Sequence, residues 1–348
     1  MTCRPTGPCP ARVMIVGEAP GAEEERLGVP FVGASGMELN RMLSEAGLNR
    51  SDCFVTNLCR VRPPGNDITA FIAQTKKDVT PAHVPLLDKR VLPCVLDGYD
   101  LLLKEIELCK PKVIIALGNY ALWALTGRSG VKHWRGSQLF TDGGIPLIPT
   151  YHPAAILRNW SWRTIAVHDL RRAASIAANG PVPEPERRFI IRPTFDRVIE
   201  VLGNLLVLCE QNPNGFILSL DIETAGGHII CLGIGWSRAD AICIPFSTGA
   251  GMIHYWPAHE EAQIVWLLYR LLTHPNARVI WQNGLFDAQY IFRHWHFLPR
   301  HHFDSMIGHH SCFSTTPKSL DYLASLYNEH YVQWKGIARE LNSPKKDD

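Results

Sequence analysis

Acidic side chains stand at the ends of two apolar runs. Glu18 follows the run 12–17 inside Gly17-Glu18-Ala19-Pro20-Gly21, a string in which Pro20 stiffens a turn and Gly21 permits close backbone approach. A carboxylate displayed there can position water or stabilise an oxocarbenium-like sugar. Asn57 and His152 end two further apolar runs. An amide carries both a donor and an acceptor, and an imidazole can give or take a proton. Phe31 is the single aromatic in the glycine-spaced string Pro30-Phe31-Val32-Gly33-Ala34-Ser35-Gly36. In the second half, Asp221 and Glu223 are two apart on a strand-like run, so both face one side. Two such carboxylates repel unless a hard cation such as Mg2+ or Mn2+ lies between them. Asn283 and Asp287, four apart in Trp-Gln-Asn-Gly-Leu-Phe-Asp, share one helix face. Taken singly these are also a plain turn, a core aromatic, a turn cap and a satisfied polar residue. Together they describe two sites.

The elements that must position them follow from periodicity. In the first half, 12–17, 53–57, 112–118 and 145–150 are short, continuously apolar strands, with helical patterns at 36–46 and 96–108 between them. Parallel strands joined by helices predict an α/β/α layer whose site lies beyond the strand C-termini, where Glu18, Asn57 and His152 fall. The stretch 179–193 holds four prolines and five charged residues and is expected to be a linker. After it come a helix at 194–210, three strands at 216–223, 229–236 and 241–246 in an antiparallel meander, a helix at 259–272 and a strand at 277–282. That order is the order of the ribonuclease H-like mixed sheet. The expected domains are therefore 1–178 and 194–348.

With 348 residues, 46% of them hydrophobic and 20% charged, the chain can build two ordinary cores. No run is apolar enough for a membrane span, and no signal segment opens the sequence. Ten irregularly spaced cysteines in a chain of this size predict a reducing, cytoplasmic setting. Residues 1–180 carry 21 Lys/Arg against 16 Asp/Glu, and the remainder 14 against 17. A basic first half suits a polyanion such as DNA.

In order along the chain, Gly17–Gly21, Pro30–Gly36, Thr56-Asn57-Leu58-Cys59-Arg60-Val61-Arg62-Pro63-Pro64 and Tyr151-His152-Pro153-Ala154-Ala155-Ile156-Leu157-Arg158 resemble the family 4 uracil-DNA glycosylases over about residues 11–175. The resemblance implies that Phe31 stacks on a flipped base, Asn57 reads the uracil edge, His152 donates to a uracil oxygen and Glu18 handles water. It places Leu157 and Arg158 in a loop that enters the duplex. It also implies an iron–sulfur cluster held by four cysteines. Cys94 and Cys109 have the family's spacing for the last two ligands. Cys3 and Cys9 have five residues between them where the family has a closer pair. The insertion 67–90 departs from the family, and its His83 lacks the basic context of the branch that traps uracil covalently.

Asp221-Ile222-Glu223-Thr224 and the Asn283–Asp287 string resemble the first two motifs of the 3′–5′ exonucleases that precede family A DNA polymerases, especially phage ones, over about 212–335. That resemblance implies two divalent cations, Mg2+ or Mn2+, on Asp221, Glu223 and Asp287. The third motif is missing. Tyr327 is followed at the motif's spacing by Tyr331, Asp304 is not the family's metal ligand, and Asp347 and Asp348 lack the accompanying tyrosine. His294, His296, His301, His302, His309 and His310 have no regular ligand spacing and are expected on a surface. The reading is a uracil-DNA glycosylase fused to an incomplete exonuclease, with DNA as partner and a separately encoded polymerase as a further one. The alternative is a non-catalytic uracil- or DNA-binding module.

Overall fold

The computed structural model describes residues 2–248 and 253–334. They fall into two units: residues up to Pro183 together with the chain from Ala324 onward, and Glu184–Leu323.

The first unit is built on five strands: β1 (Val13–Gly17), β2 (Cys53–Asn57), β3 (Val113–Leu117), β4 (Leu139–Phe140) and β5 (Pro146–Thr150). Their order is β2-β1-β3-β5-β4, parallel except for the short edge strand β4. Every residue of β1, β2 and β3 is buried. This is the signature of a parallel sheet covered on both faces, and it explains why these runs lack polar alternation. Helix Arg163–Asn179 buries Ala166, Leu170, Ala173 and Ile176. The insertion 67–90 is not merely solvated. Ile68, Phe71, Ile72 and Leu86 are buried, and the segment ends in a hairpin that pairs Val84–Leu86 with Lys89–Val91. Asp88 there accepts the Trp123 indole N–H at 2.6 Å.

The main sheet of the second unit has six strands: β6 (Arg188–Ile191), β7 (Phe216–Ala225), β8 (His228–Gly235), β9 (Asp240–Pro245), β10 (Ala277–Trp281) and β11 (Phe303–Asp304). The order is β11-β10-β7-β8-β9-β6. The expected meander β7–β8–β9 is antiparallel, and β10 lies parallel to β7, so the sheet is mixed. On β7, Leu218, Leu220 and Ile222 are buried, while Ser219, Asp221 and Glu223 alternate with them and are exposed. The buried side packs with Val198, Leu202 and Leu205 of helix Phe195–Gln211 and Ile264 and Leu268 of helix Ala258–Leu272.

Two segments differ from their sequence-based reading. The stretch 179–193 is not linker throughout: it contributes β6, which pairs in parallel with β9. Its apolar residues gave no burial signal because Phe189 and Ile191 lie exposed on an edge strand. Residues 324–334 belong to the first unit, not the second. Among the described residues no helix is long and apolar enough to cross a membrane.

Candidate active site

Four side chains named from the sequence meet at the ends of β1, β2 and β5. Asn57 is the last residue of β2, paired in register with Gly17. A side chain at Gly17 would collide with both the Asn57 Oδ1 and the Phe31 ring, so the glycine is what lets amide and aromatic come together. Phe31 is buried, and its ring centroid lies 5.6 Å from that of His152. Gly118, at φ +92°, performs the same service on the opposite wall. A Cβ there would strike the Glu18 carboxyl and stand 3.3 Å from the His152 Cβ.

The protonation states follow from the partners. Glu18 Oε1 accepts the Tyr120 backbone N–H at 3.3 Å. Burial raises its pKa above the ordinary carboxylate value, opposed by backbone N–H groups of Tyr120 and Asn119. His152 caps the helix Pro153–Arg158, its Nδ1 accepting the Ala154 N–H at 3.2 Å. Withdrawal from water, with the nearby Arg158 charge, lowers its pKa to about 4. The ring is therefore neutral at pH 7 and carries its proton on Nε2. Asn57 is 2% exposed, and its Oδ1 is buried without a hydrogen-bond partner. A buried orphan amide acceptor costs free energy unless something supplies a donor. Leu157 and Arg158 are exposed at the end of the short helix, followed by exposed Trp160, over which Arg163 lies at 5.2 Å.

The bracing of Phe31 was not read from the sequence. Phe31 has φ +54°, and Arg50 holds its strained backbone, donating to the Phe31 carbonyl at 3.0 Å and the Pro30 carbonyl at 2.6 Å. Buried Glu24 accepts the Gly33 N–H at 3.2 Å. Arg60 is structural: it is buried on Thr56 and on Glu105, the latter at 2.6 Å.

In the second unit Asp287 is buried, and its Oδ1 accepts the Ile222 N–H at 2.9 Å. Burial, and then the neighbouring Asp221 charge, raise its pKa to about 6. Asp221 and Glu223 stand exposed on β7. Asn283 adopts φ +62°. Asp304 accepts the backbone N–H groups of Asn283 at 3.2 Å, Gly284 at 2.8 Å and Met306 at 2.8 Å. It is a cap for two helices. Tyr331 is buried in the first unit, where its carbonyl accepts the Gln138 N–H at 2.8 Å. Asp347 and Asp348 lie outside the described residues. His309 is not on a surface but buried, 2.7 Å from the Thr316 hydroxyl.

Neither expected metal centre is assembled. Among the described residues no three His, Cys, Asp or Glu side chains converge to hold a metal ion. Asp287 is committed to Ile222, and Glu223 does not complete a three-carboxylate set with Asp221. The four thiols expected to share iron do not converge on one point among the described residues. Cys9 and Cys109 are bonded to each other, Cys94 neighbours Cys59, whose Sγ contacts the Cys94 carbonyl at 3.7 Å, and buried Cys3 hangs from the Arg60 carbonyl by its N–H at 3.1 Å. This arrangement does not fit a four-cysteine cluster.

Residues 5–171 match the uracil DNA glycosylase superfamily, and 198–340 match a 3′–5′ exonuclease family. A type-4 uracil-DNA glycosylase of Thermotoga maritima is 36% identical over 168 residues, which is 47% of this chain and 77% of that protein. The chain belongs to the type-4 uracil-DNA glycosylases. Its glycosylase domain is followed by a 3′–5′ exonuclease domain related to phage DNA polymerase. A DNA polymerase of Bacillus phage SP01 is 24% identical over 308 residues, covering 81% of this chain and 30% of the polymerase. The catalytic core of RRP6 from Trypanosoma brucei aligns at TM-score 0.31 and 12% identity over 42% of this chain and 36% of that one, too slight a likeness to carry an argument.

Proposed function

We propose that the glycosylase unit flips uracil out of DNA and hydrolyses its N-glycosidic bond. The observation that carries this reading is the buried, unpartnered Asn57 Oδ1 beside the Phe31 ring. Uracil offers that oxygen its N3–H, whereas cytosine has no proton there. Phe31 stacks on the extruded base. As the bond breaks, charge gathers on the uracil O2, and the His152 Nε2–H donates to it without needing to be ionised. Glu18, across from His152 at the Gly118 wall, holds the attacking water or stabilises the cationic sugar. Leu157 and Arg158 enter the duplex and hold phosphate. No step passes through iron or a divalent cation.

The second unit, in this proposal, is a DNA-binding remnant of a proofreading domain that trims 3′ ends slowly or not at all. A second reading, service to a separately made polymerase, is favoured by the similarity to the phage polymerase across both halves. The bacterial, archaeal and phage relatives support action in the cytoplasm of a prokaryotic or phage-infected cell.

The test is base discrimination. Asn57→Asp should lower uracil release sharply or let cytosine compete, measured on oligonucleotides carrying one uracil or one cytosine. Unchanged rates on both would remove Asn57 from the pocket.

A further inference from the structure

Asp169 is completely buried in helix Arg163–Asn179. Arg135 grips it twice, with Nε at 2.9 Å and with Nη2. Thr150 Oγ1 donates to the same carboxylate at 2.7 Å. Thr150 ends β5, two residues before His152. Gly136, at φ +72°, makes room: a Cβ there would stand 2.6 Å from Asp169 Oδ1.

The remaining arm of Arg135 leads elsewhere in the sequence. Its Nη1 donates at 2.8 Å to the hydroxyl of Ser325, which is 190 residues away and 1% exposed. Arg172 donates to the carbonyls of Ser325 at 3.0 Å, Asn328 at 2.8 Å and Glu329 at 2.8 Å. Two of these carbonyls, those of Ser325 and Asn328, lie in or just after the last turn of helix Leu320–Tyr327, where backbone acceptors lack helical partners. The Arg172 guanidinium lies 5.9 Å from the Tyr331 ring centroid. The Gln333 N–H donates to Ser137 Oγ at 3.2 Å, beside the Arg135–Gly136 turn.

We propose that Thr150, Asp169 and Arg135 are positioning residues for His152, and that residues 325–333, which lie within the stretch matched to the exonuclease family but pack in the first unit, hold this chain of contacts in place as a piece of the glycosylase fold. A buried Arg–Asp pair keeps one geometry only while every charge and donor is satisfied. Ser325 supplies the last of those partners to Arg135, and the carbonyls on Arg172, three residues beyond Asp169 in the same helix, fasten the segment that carries Ser325. The strand end that aims the imidazole is thus fixed from a segment remote in sequence. The inference rests on the reading of His152 as the donor to uracil.

The test uses the full chain with Thr150→Val, Thr150→Ser and Arg172→Met. Steady-state and single-turnover uracil release would be measured beside the imidazole 15N–1H resonances of His152. Thr150→Val keeps the side-chain shape and removes the link to Asp169; Arg172→Met releases the segment. Both should lower kcat about tenfold with KM changed less than about twofold, since small misplacement of a reacting group is costly. Both should also move the His152 resonances, and Thr150→Ser should restore rate and spectrum. Should Arg172→Met fail to fold, the threonine pair decides. Wild-type rates and unmoved His152 resonances in the folded variants would overturn the proposal. If the unaltered protein releases no uracil, the functional reading fails, and the His152 resonances alone decide the positioning claim.

Discussion

His152 has only one nitrogen left to give. Its Nδ1 is already an acceptor for the Ala154 N–H, so the neutral ring presents Nε2–H to the pocket. His152→Ala should therefore raise the barrier to uracil release by about 2.7–4 kcal/mol, the usual cost of losing one oxyanion donor. Single-turnover rates at saturating enzyme would measure it. The same residue has a stability signature. Its folded pKa, about 4, lies below the 6.5 of an unperturbed histidine. Between those values the unfolded chain binds more protons than the folded one, so stability rises with pH across about 4 to 6.5 and is fully present above. Denaturant titrations at several pH values should show a slope in that window, which His152→Gln flattens. In the proposed mechanism Glu18 sets the acid side of catalysis instead. Its carboxylate is the working form and its pKa is raised, so uracil release should fall as pH drops through a value above the ordinary carboxylate range. Glu18→Gln should be slow and nearly pH-independent there; an acid limb kept unchanged in that variant would assign it to another group.

At the scale of elements, the strand ends do the positioning, and the glycines at their tips keep the pocket open. Gly118→Ala puts a Cβ into Glu18 at a backbone angle that L side chains rarely adopt. It should cost about 1–3 kcal/mol of stability and most of the activity, read by thermal unfolding beside the uracil assay. These elements were legible in the sequence because their signals are local. The continuously apolar β1, β2 and β3 announce a covered parallel sheet, and Asn57 and His152 stand at strand ends that hydrophobicity alone delimits. What could not be read locally depends on distant partners. Strand β6 hides in a proline- and charge-rich stretch because an exposed edge strand needs no alternation. Asp304 has no role in the sequence reading until the backbone donors it caps come into place. The cysteine spacing suggested four iron ligands, but Cys9 bonds Cys109 across 100 residues, a pairing that spacing does not encode. Residues 324–334 read as part of the exonuclease stretch, because the partners that draw them into the first unit, Arg135 and Arg172, lie more than 150 positions away.

As a whole molecule, the described residues assemble the glycosylase pocket but not a three-ligand metal site in the second unit. Asp221 and Asp287 are neighbours, yet no three-ligand set forms among the described residues. Calorimetry with Mn2+ should accordingly show weak binding at most, and a labelled primer should be trimmed slowly or not at all; fast trimming abolished by Asp221→Ala would contradict this. In the proposed mechanism the glycosylase pocket works without such an ion, and this is the central claim. Its most direct test is uracil release from a labelled single-uracil oligonucleotide by the full chain in excess chelator. The account predicts full activity with chelator present and its loss in the Asn57→Asp and His152→Ala proteins. Activity that appears only when Mg2+ is restored, or that survives both substitutions, would contradict it.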